Sequence, residues 1–198
     1  MLFMNNLKFL DKYFQETDFV LKNIKENFNQ IIQIKNQFQK TSKSKGKIII
    51  AGNGGSAAIA SHVAVDLSKN AGIRAINFND ADLITCLSND YSYEEWIESA
   101  LKIYVDKRDL VVLISSSGSS KNHVNAAKYL KKKKIRLITL TASNKNNSLK
   151  SINKKGINVW INSKSYNIIE VFHLYILLCV VDLCIGKSVY SPKKKLKY

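Results

Sequence analysis

The sequence predicts one α/β domain, in which a parallel sheet of five strands is covered by helices on both faces. Strand-like runs alternate with helical stretches along most of the chain, which is typical of this class. The 198 residues, 45% of them hydrophobic, are enough for one core. The only proline, Pro192, lies near the C-terminus, and no linker divides the chain. We therefore expect a helical segment over 1–45, one α/β unit over 46–187 and a basic tail over 188–198.

The first element is a long helix. Its apolar residues, from Leu7 to Phe38, recur at steps of three and four, which is helical periodicity. The stripe is narrow, and it precedes the α/β part of the chain. Two interpretations remain open. The helix is either an association arm that packs against a partner helix, or it folds back onto its own domain.

The strands and helices of the α/β unit follow in alternation. A polar break ends at Gly46, after which the chain reads as a buried parallel strand. The predicted strands cover 47–51, 74–78, 110–114, 137–140 and 158–161. The predicted helices lie around 57–69, 93–104, 122–132 and 168–184.

The charge balance is strongly basic, with 31 Lys and Arg against 15 Asp and Glu and a formal net charge of +16. Nearly all of the cations are lysines, which favours a compositional bias of the proteome over a specific role. Attraction to anionic molecules is the alternative. Nucleic acid is not an expected partner, because the lysine run 131–134 is best explained as a solvated helix end.

Cysteine usage and hydropathy indicate the compartment. The three cysteines show no paired spacing, which is typical of a reducing cytoplasm. The longest apolar stretch, 168–185, contains Glu170, His173 and Asp182. Each of these is costly at membrane depth, so a buried helix is favoured over a membrane span. We expect a cytoplasmic protein with no membrane partner.

Two loops at predicted strand ends could hold an anion. The first, Gly-Asn-Gly-Gly-Ser-Ala-Ala at 52–58, is a glycine loop that leads straight into a helix. Its amides and the helix N-terminus would face a phosphate, although a simple tight turn is the alternative. The second, at 115–120, is a serine loop, which supplies hydroxyl donors unless its serines serve only as N-caps. Neither loop fits a dinucleotide or nucleotide-triphosphate motif.

These motifs, together with Ser-His-Val-Ala-Val-Asp at 61–66 and Ser-Asn-Asp at 88–90, resemble the sugar isomerase (SIS) domain family. Within that family the chain looks most like the phosphoheptose isomerases. The resemblance implies a flavodoxin-like sheet, a homotetramer with its active site between subunits, and a sugar phosphate as substrate. The implied reaction converts sedoheptulose 7-phosphate to D-glycero-D-manno-heptose 7-phosphate for lipopolysaccharide or capsule synthesis.

The resemblance also implies which residues form the site. The implied substrate-binding residues are Asn53, Gly54, Gly55, Ser56, Asn89, Asp90, Ser115, Ser116, Ser117 and Ser120. The implied zinc ligands are His62, Asp66 and Glu170, with Asp66 replacing a longer family carboxylate and Glu170 replacing a family glutamine. The last family ligand, a histidine, aligns with Leu178, which cannot bind a metal.

An aldose–ketose isomerisation needs a base that carries a proton between adjacent carbons. Asp66 and Glu170 are the candidate catalytic residues. Because the aligned histidine is missing at Leu178, a second hypothesis stands beside the enzyme. The chain could be a non-catalytic phosphosugar-binding or adaptor protein, similar to the replication-initiation regulator of this family.

Overall fold

The sheet agrees with the prediction. A computed structural model describes residues 2–191, so most of the predicted basic tail, 192–198, lies outside the described residues. The strands are β1 (Ile48–Gly52), β2 (Ala75–Asn77), β3 (Leu110–Ser115), β4 (Arg136–Ala142) and β5 (Ile157–Ile161). They are all parallel and lie in the order β2-β1-β3-β4-β5, which is the flavodoxin-like order.

The helices include two that the sequence did not predict, α4 and α7. In chain order the helices are α1 (Leu2–Asn23), α2 (Phe28–Lys43), α3 (Gly55–Asp66), α4 (Ala81–Asp90), α5 (Trp96–Tyr104), α6 (Lys121–Lys133), α7 (Ser148–Ile152) and α8 (Tyr166–Ile185). Helix α4 buries only Leu87, and α7 has five residues, so neither carries a long apolar stripe. Helix α7 begins where the Asn147 side chain accepts a hydrogen bond from the Lys150 amide.

Alternate residues of β1, an interior strand, face the two sides of the sheet. In β1, Ile48 and Ile50 are fully buried in the core on the side of α2, α3 and α8. Ile49 is fully buried in the core on the side of α4 to α7. Because both faces are covered, β1 reads as a continuous apolar run, as expected for a central parallel strand.

The structure separates the two halves of the N-terminal segment: α2 folds back onto the domain, while the association arm stays a prediction for α1. The chain leaves α-helical geometry at a 3₁₀ turn, Ile24–Asn27, where the Asn23 side chain donates to the Phe19 carbonyl oxygen at 2.8 Å. After this turn α2 folds back onto the domain and buries Ile34 and Phe38 completely. By contrast, α1 exposes most of its apolar stripe.

The turn between α1 and α2 also covers the edge of the sheet. The Asn27 side chain donates to the Trp160 carbonyl oxygen at 3.3 Å and accepts from the Trp160 amide at 3.4 Å. Since β5 is an edge strand, these bonds satisfy backbone groups that would otherwise offer a template for another strand. The turn is therefore part of the domain, although α1 extends beyond it.

Helix α8 has the length and hydropathy of a membrane span, and it is the only such helix in the described part of the chain. Eight of its residues are nevertheless buried against the domain, including His173, which is completely buried. It packs against α2 and α3. The packing of α8 thus supports the prediction of a buried helix.

The three cysteines are not paired with one another: Cys86, Cys179 and Cys184 are all free thiols.

Candidate active site

The glycine loop and the serine loop meet at one place on the sheet. The glycine loop follows β1 and the serine loop follows β3, and these strands are neighbours, with Gly52 in register with Ile114. The chain order reverses between β1 and β3, because β2 lies on one side of them and β4 on the other. Ligands of open α/β sheets bind at such switch points, outside the carboxyl ends of the strands.

The two loops enclose a pocket of about 220 Å³. Eight of its lining residues are predicted substrate-binding residues: Asn53, Gly54, Gly55, Ser56, Ser115, Ser116, Ser117 and Ser120. Helix α3 begins at Gly55 within the glycine loop, and α6 begins at Lys121 directly after the serine loop. Both helix N-termini therefore turn their partial positive charge toward the pocket, which favours an anion.

A glycine holds the serine loop in shape. Gly118 has φ +64°, and a side chain there would overlap the side chain of Asn147. The Gly118 amide donates to the Ser115 carbonyl oxygen at 3.1 Å, and the Gly118 carbonyl accepts from the Leu149 amide at 2.9 Å. The loop is thus tied to both β3 and α7. Backbone hydrogen bonds of Gly118 therefore fix the position of the serines, in addition to any bonds that their hydroxyl groups make.

A pair of asparagines joins the two loops. Asn53 and Asn122 exchange side-chain hydrogen bonds, at 3.2 Å from Asn53 Nδ2 and 3.1 Å from Asn122 Nδ2. Asn122 Oδ1 also accepts from the His123 amide at 2.9 Å and lies 3.0 Å from His123 Nδ1. We call this network the asparagine clamp. Because Asn122 is almost fully buried, the clamp sets the distance between the glycine loop and the serine loop.

His123 lies under the pocket as a neutral side chain. Burial lowers its pKa to about 4, against hydrogen bonding to the Ala51 and Ile114 carbonyls, which acts in the opposite direction. An imidazole that contacts the carbonyl oxygen of Asn122 through Nδ1 carries its proton on that nitrogen. The pocket therefore receives no positive charge from this histidine at neutral pH.

Glu170 brings a carboxylate to the glycine side of the pocket. It lies in the first turns of α8 and contacts Gly55, where any side chain would overlap the Glu170 carboxylate. Gly55 is the first residue of α3, so the carboxylate sits at the positive end of that helix. Of the described residues that line the pocket, Glu170 alone carries a formal charge at neutral pH.

The predicted metal ligands do not meet in the single chain. His62 Nε2 lies 3.4 Å from Asp66 Oδ2, and Asp66 Oδ1 accepts from Asn70 Nδ2 at 3.0 Å. Among residues 2–191 no three His, Cys, Asp or Glu side chains are grouped as metal ligands, so Glu170 is not part of one site with this pair. Leu178 packs against the apolar core. Two ligands are too few for zinc, which takes three or four from protein.

Asn89 and Asp90 lie outside the pocket of the single chain. They end α4, both side chains are exposed, and Asn89 Nδ2 donates to Asp90 Oδ1 at 3.1 Å. Asp90 Oδ2 also accepts from Cys86 Sγ at 3.6 Å. The assignment of this pair to the substrate stays a prediction.

The sequence did not predict four residues of the site. Ile114, His123 and Tyr166 line the pocket, and Asn122 builds the asparagine clamp. Asn122 and His123 open α6 directly after the serine loop, so their position in the first helical turn was the available signal. The signal was incomplete, because only the fold shows that Asn122 faces Asn53.

The comparisons with known proteins agree with this geometry. Residues 12–142 match the model of the SIS domain. A phosphoheptose isomerase of Thermodesulfovibrio yellowstonii is 33% identical over 181 residues, covering 87% of this chain and 89% of that protein. One of Buchnera aphidicola is 30% identical over 185 residues, covering 86% and 94%.

A solved structure shares the fold at lower sequence identity. The phosphoheptose isomerase of Francisella tularensis superposes with a TM-score of 0.85 at 22% identity, covering 92% of this chain and 99% of that one. Three findings agree on one family: the switch-point pocket, the domain match and the relatives that span nearly the whole chain. The chain belongs to the SIS domain family and, within it, to the phosphoheptose isomerases.

Proposed function

We propose that this chain is a phosphosugar isomerase that converts sedoheptulose 7-phosphate to D-glycero-D-manno-heptose 7-phosphate. The observation that carries the proposal is the switch-point pocket, in which the N-terminus of α6 and the serine hydroxyls stand opposite the Glu170 carboxylate at the N-terminus of α3. An anion-binding end and a proton acceptor are the two groups that a phosphosugar isomerase requires. The relatives named above are phosphoheptose isomerases, which supports this substrate over other sugar phosphates.

In this mechanism the serine loop holds the phosphate. Hydroxyl groups of Ser115, Ser116, Ser117 and Ser120 and the N-terminus of α6 would donate to its oxygens. Asn53 and the glycine-loop amides would hold the sugar hydroxyls. The phosphate then stays away from the Glu170 carboxylate, which lies at Gly55 on the other side of the pocket.

Glu170 is the base that the geometry favours. It would remove a proton from carbon 1 of the ketose and return it to carbon 2, while a second proton moves from the hydroxyl oxygen on carbon 1 to the carbonyl oxygen on carbon 2 through an enediolate. Asp66, the other candidate, is hydrogen-bonded to Asn70 outside the pocket. Asp66 could act only where another copy of the chain presents the substrate to it.

The non-catalytic adaptor remains the second candidate function. Leu178 favours it, since the family's last histidine is absent. Membership of the phosphoheptose isomerases and the carboxylate in the pocket favour the enzyme.

The deciding experiment is turnover of sedoheptulose 7-phosphate followed by NMR. We expect the wild type to form the aldose. Glu170→Gln should lower kcat by about 10²–10⁴-fold, the usual loss for a general base. Thermal stabilisation by the substrate should survive in this variant, because the phosphate contacts remain.

Glu95→Gln is the matched control, since Glu95 is an exposed carboxylate outside the pocket, and it should keep full turnover. If Asp66→Asn abolishes turnover while Glu170→Gln does not, Asp66 is the base. If the wild type is stabilised by the sugar phosphate without converting it, the adaptor hypothesis is correct.

Zinc is also part of the proposal, although no catalytic step is assigned to it. His62 and Asp66 could hold a divalent ion only with further ligands from outside this pair. We expect metal analysis of the purified protein to find zinc, and His62→Ala to remove it. Asp82→Ala, which removes an exposed carboxylate on α4, is the control. Unchanged metal content in His62→Ala would disprove the site.

A further inference from the structure

A second cleft lies at the opposite edge of the sheet from the switch-point pocket. It opens at the amino ends of β4 and β5, between α2, the end of α6 and α7, and its volume is about 840 Å³. The lining includes Arg136, where β4 begins, and Ile157, where β5 begins.

The cleft is lined by cations and by no described acidic residue, although Asp109 lies close enough to act on the charge of Arg136. The six cations are Lys40, Lys131, Lys134, Arg136, Lys154 and Lys155. No Asp or Glu is among the described lining residues, and none of the six forms an ion pair within residues 2–191. Arg136 is committed to neutral acceptors, the Arg108 carbonyl oxygen and Gln37 Oε1.

Lysine abundance alone does not produce this arrangement. A second lysine-lined hollow, between α5 and α6, contains Lys128, Lys132 and also Glu98, which pairs with Lys102 at 2.8 Å. That hollow is partly neutralised, whereas the cleft is not. The cleft therefore has a positive field that its neighbour lacks.

The helix ends at the cleft do not cancel this field. The C-termini of α2 and α6 point toward this edge, and each contributes about half a negative charge. Two such ends offset about one of the six cations. The cleft keeps a strong positive potential, and concave walls focus it.

The remaining lining sets the kind of anion. Apolar side chains, including Ile135, Leu137 and Ile152, lie beside the amide groups of Gln33, Gln37 and Asn153. The five lysines of the lining are separate positive charges. Such a distribution suits a ligand with several phosphate charges better than a single phosphate. An apolar and amide-lined wall suits an organic group attached to it.

We propose that this cleft is a second anion site, which binds a small molecule carrying a polyphosphate group, such as a nucleoside triphosphate. A cleft of about 840 Å³ has the size of ordinary small-molecule pockets. The site is separate from the sugar phosphate pocket, with which it shares no lining residue. The proposal does not depend on isomerase activity.

Calorimetric titration of the whole protein with ATP and with inorganic tripolyphosphate tests the proposal. We expect one ligand per chain, with no displacement by sedoheptulose 7-phosphate. Lys131→Gln combined with Lys155→Gln should weaken binding about tenfold, from the loss of two exposed charge interactions. Equal affinity for the two probes would identify the polyphosphate group as sufficient, and tighter binding of ATP would show that its organic part is also recognised.

The matched control removes two lysines from the neighbouring hollow, by Lys128→Gln with Lys132→Gln. It loses the same total charge, from the helix that also carries Lys131, and its affinity should stay close to the wild type. Equal weakening in both double variants would overturn the proposal, because it would show only a general effect of charge. Displacement by the sugar phosphate would also overturn it, as would tighter binding of a single-stranded oligonucleotide than of ATP through the same lysines.

Discussion

At the scale of residues, the asparagine clamp shows how the pocket is held open. Asn122 contacts Asn53 on the other loop and His123 on its own helix, and all of these bonds are made by one side chain. A sugar phosphate that touches both loops needs their separation to be correct. Small errors in such positioning are costly in rate.

Removal of the clamp is therefore expected to weaken both stability and substrate binding. Asn122→Ala should lower the free energy of unfolding by about 1–3 kcal/mol, because the Asn53 amide and His123 Nδ1 lose their partner. It should also raise KM for the sugar phosphate, measured in the NMR turnover assay. Asn125→Ala on the same helix is the control, since Asn125 Nδ2 donates only to the Glu94 carbonyl at an exposed position. A clamp variant that unfolds and turns over like this control would contradict the role.

Buried histidines predict a dependence of stability on pH. Burial lowers the pKa of His123 and of His173 from 6.5 to about 4. Between these two values the unfolded chain binds protons that the folded chain does not, so stability falls as the pH drops from 6.5 toward 4. Over this range each histidine should lower the free energy of unfolding by about 3 kcal/mol, because one pKa unit corresponds to about 1.4 kcal/mol.

Urea unfolding across this pH range measures the effect. His123→Val should make the free energy of unfolding depend less steeply on pH, because one depressed histidine has been removed. Asn125→Ala, which changes a side chain on the same helix and leaves all three histidines in place, serves as the control. An unchanged slope in His123→Val would contradict the assignment of a neutral, buried imidazole.

At the scale of elements, the first half of α1 leaves much of its apolar stripe exposed. Leu7, Leu10 and Phe14 are 49%, 47% and 61% exposed, although they lie on the apolar stripe that periodicity identified. The contact of α1 with the domain is at its second half, where Glu16 accepts from Ser163 Oγ at 2.7 Å. A stripe of this kind favours the predicted homotetramer over a monomer.

Charges placed on the stripe should break this assembly without unfolding the domain. We expect sedimentation to show a tetramer for the wild type and smaller species for Leu10→Lys combined with Phe14→Lys. Unfolding of the dissociated chain should be little changed, because both side chains are exposed. Lys12→Glu alters the charge about 200° around α1 from Leu10 and should leave the tetramer intact. A wild-type monomer would show the tetramer prediction to be wrong.

At the scale of the whole molecule, the chain carries two anion-attracting regions at opposite edges of one sheet. The pocket at the carboxyl ends uses helix N-termini and hydroxyls, and the cleft at the amino ends uses lysines. The first arrangement is a consequence of the flavodoxin-like order, which places loops after β1 and β3 side by side. The second depends on side chains from three helices and three strands.

Much of the fold was predictable because it follows local patterns. Each strand was predicted to within two residues, since continuous apolar runs bounded by polar breaks mark buried parallel strands. Helices α4 and α7 were missed because each buries a single residue, so neither has a periodic stripe. The break at Ile24–Asn27 was missed because the apolar spacing continues through it.

The sequence by itself determined the domain, the two loops and the family, since these depend on residue order along the chain. Only the tertiary structure decided that Glu170, and neither Asp66 nor the pair Asn89 and Asp90, shares the pocket with the two loops. It also decided that Asn122 joins them, and that α2 packs into the core while the first half of α1 keeps its apolar side chains exposed. The physical reason is that these contacts join residues far apart in the chain. Only the packing of helices on the sheet brings such residues together or keeps them apart.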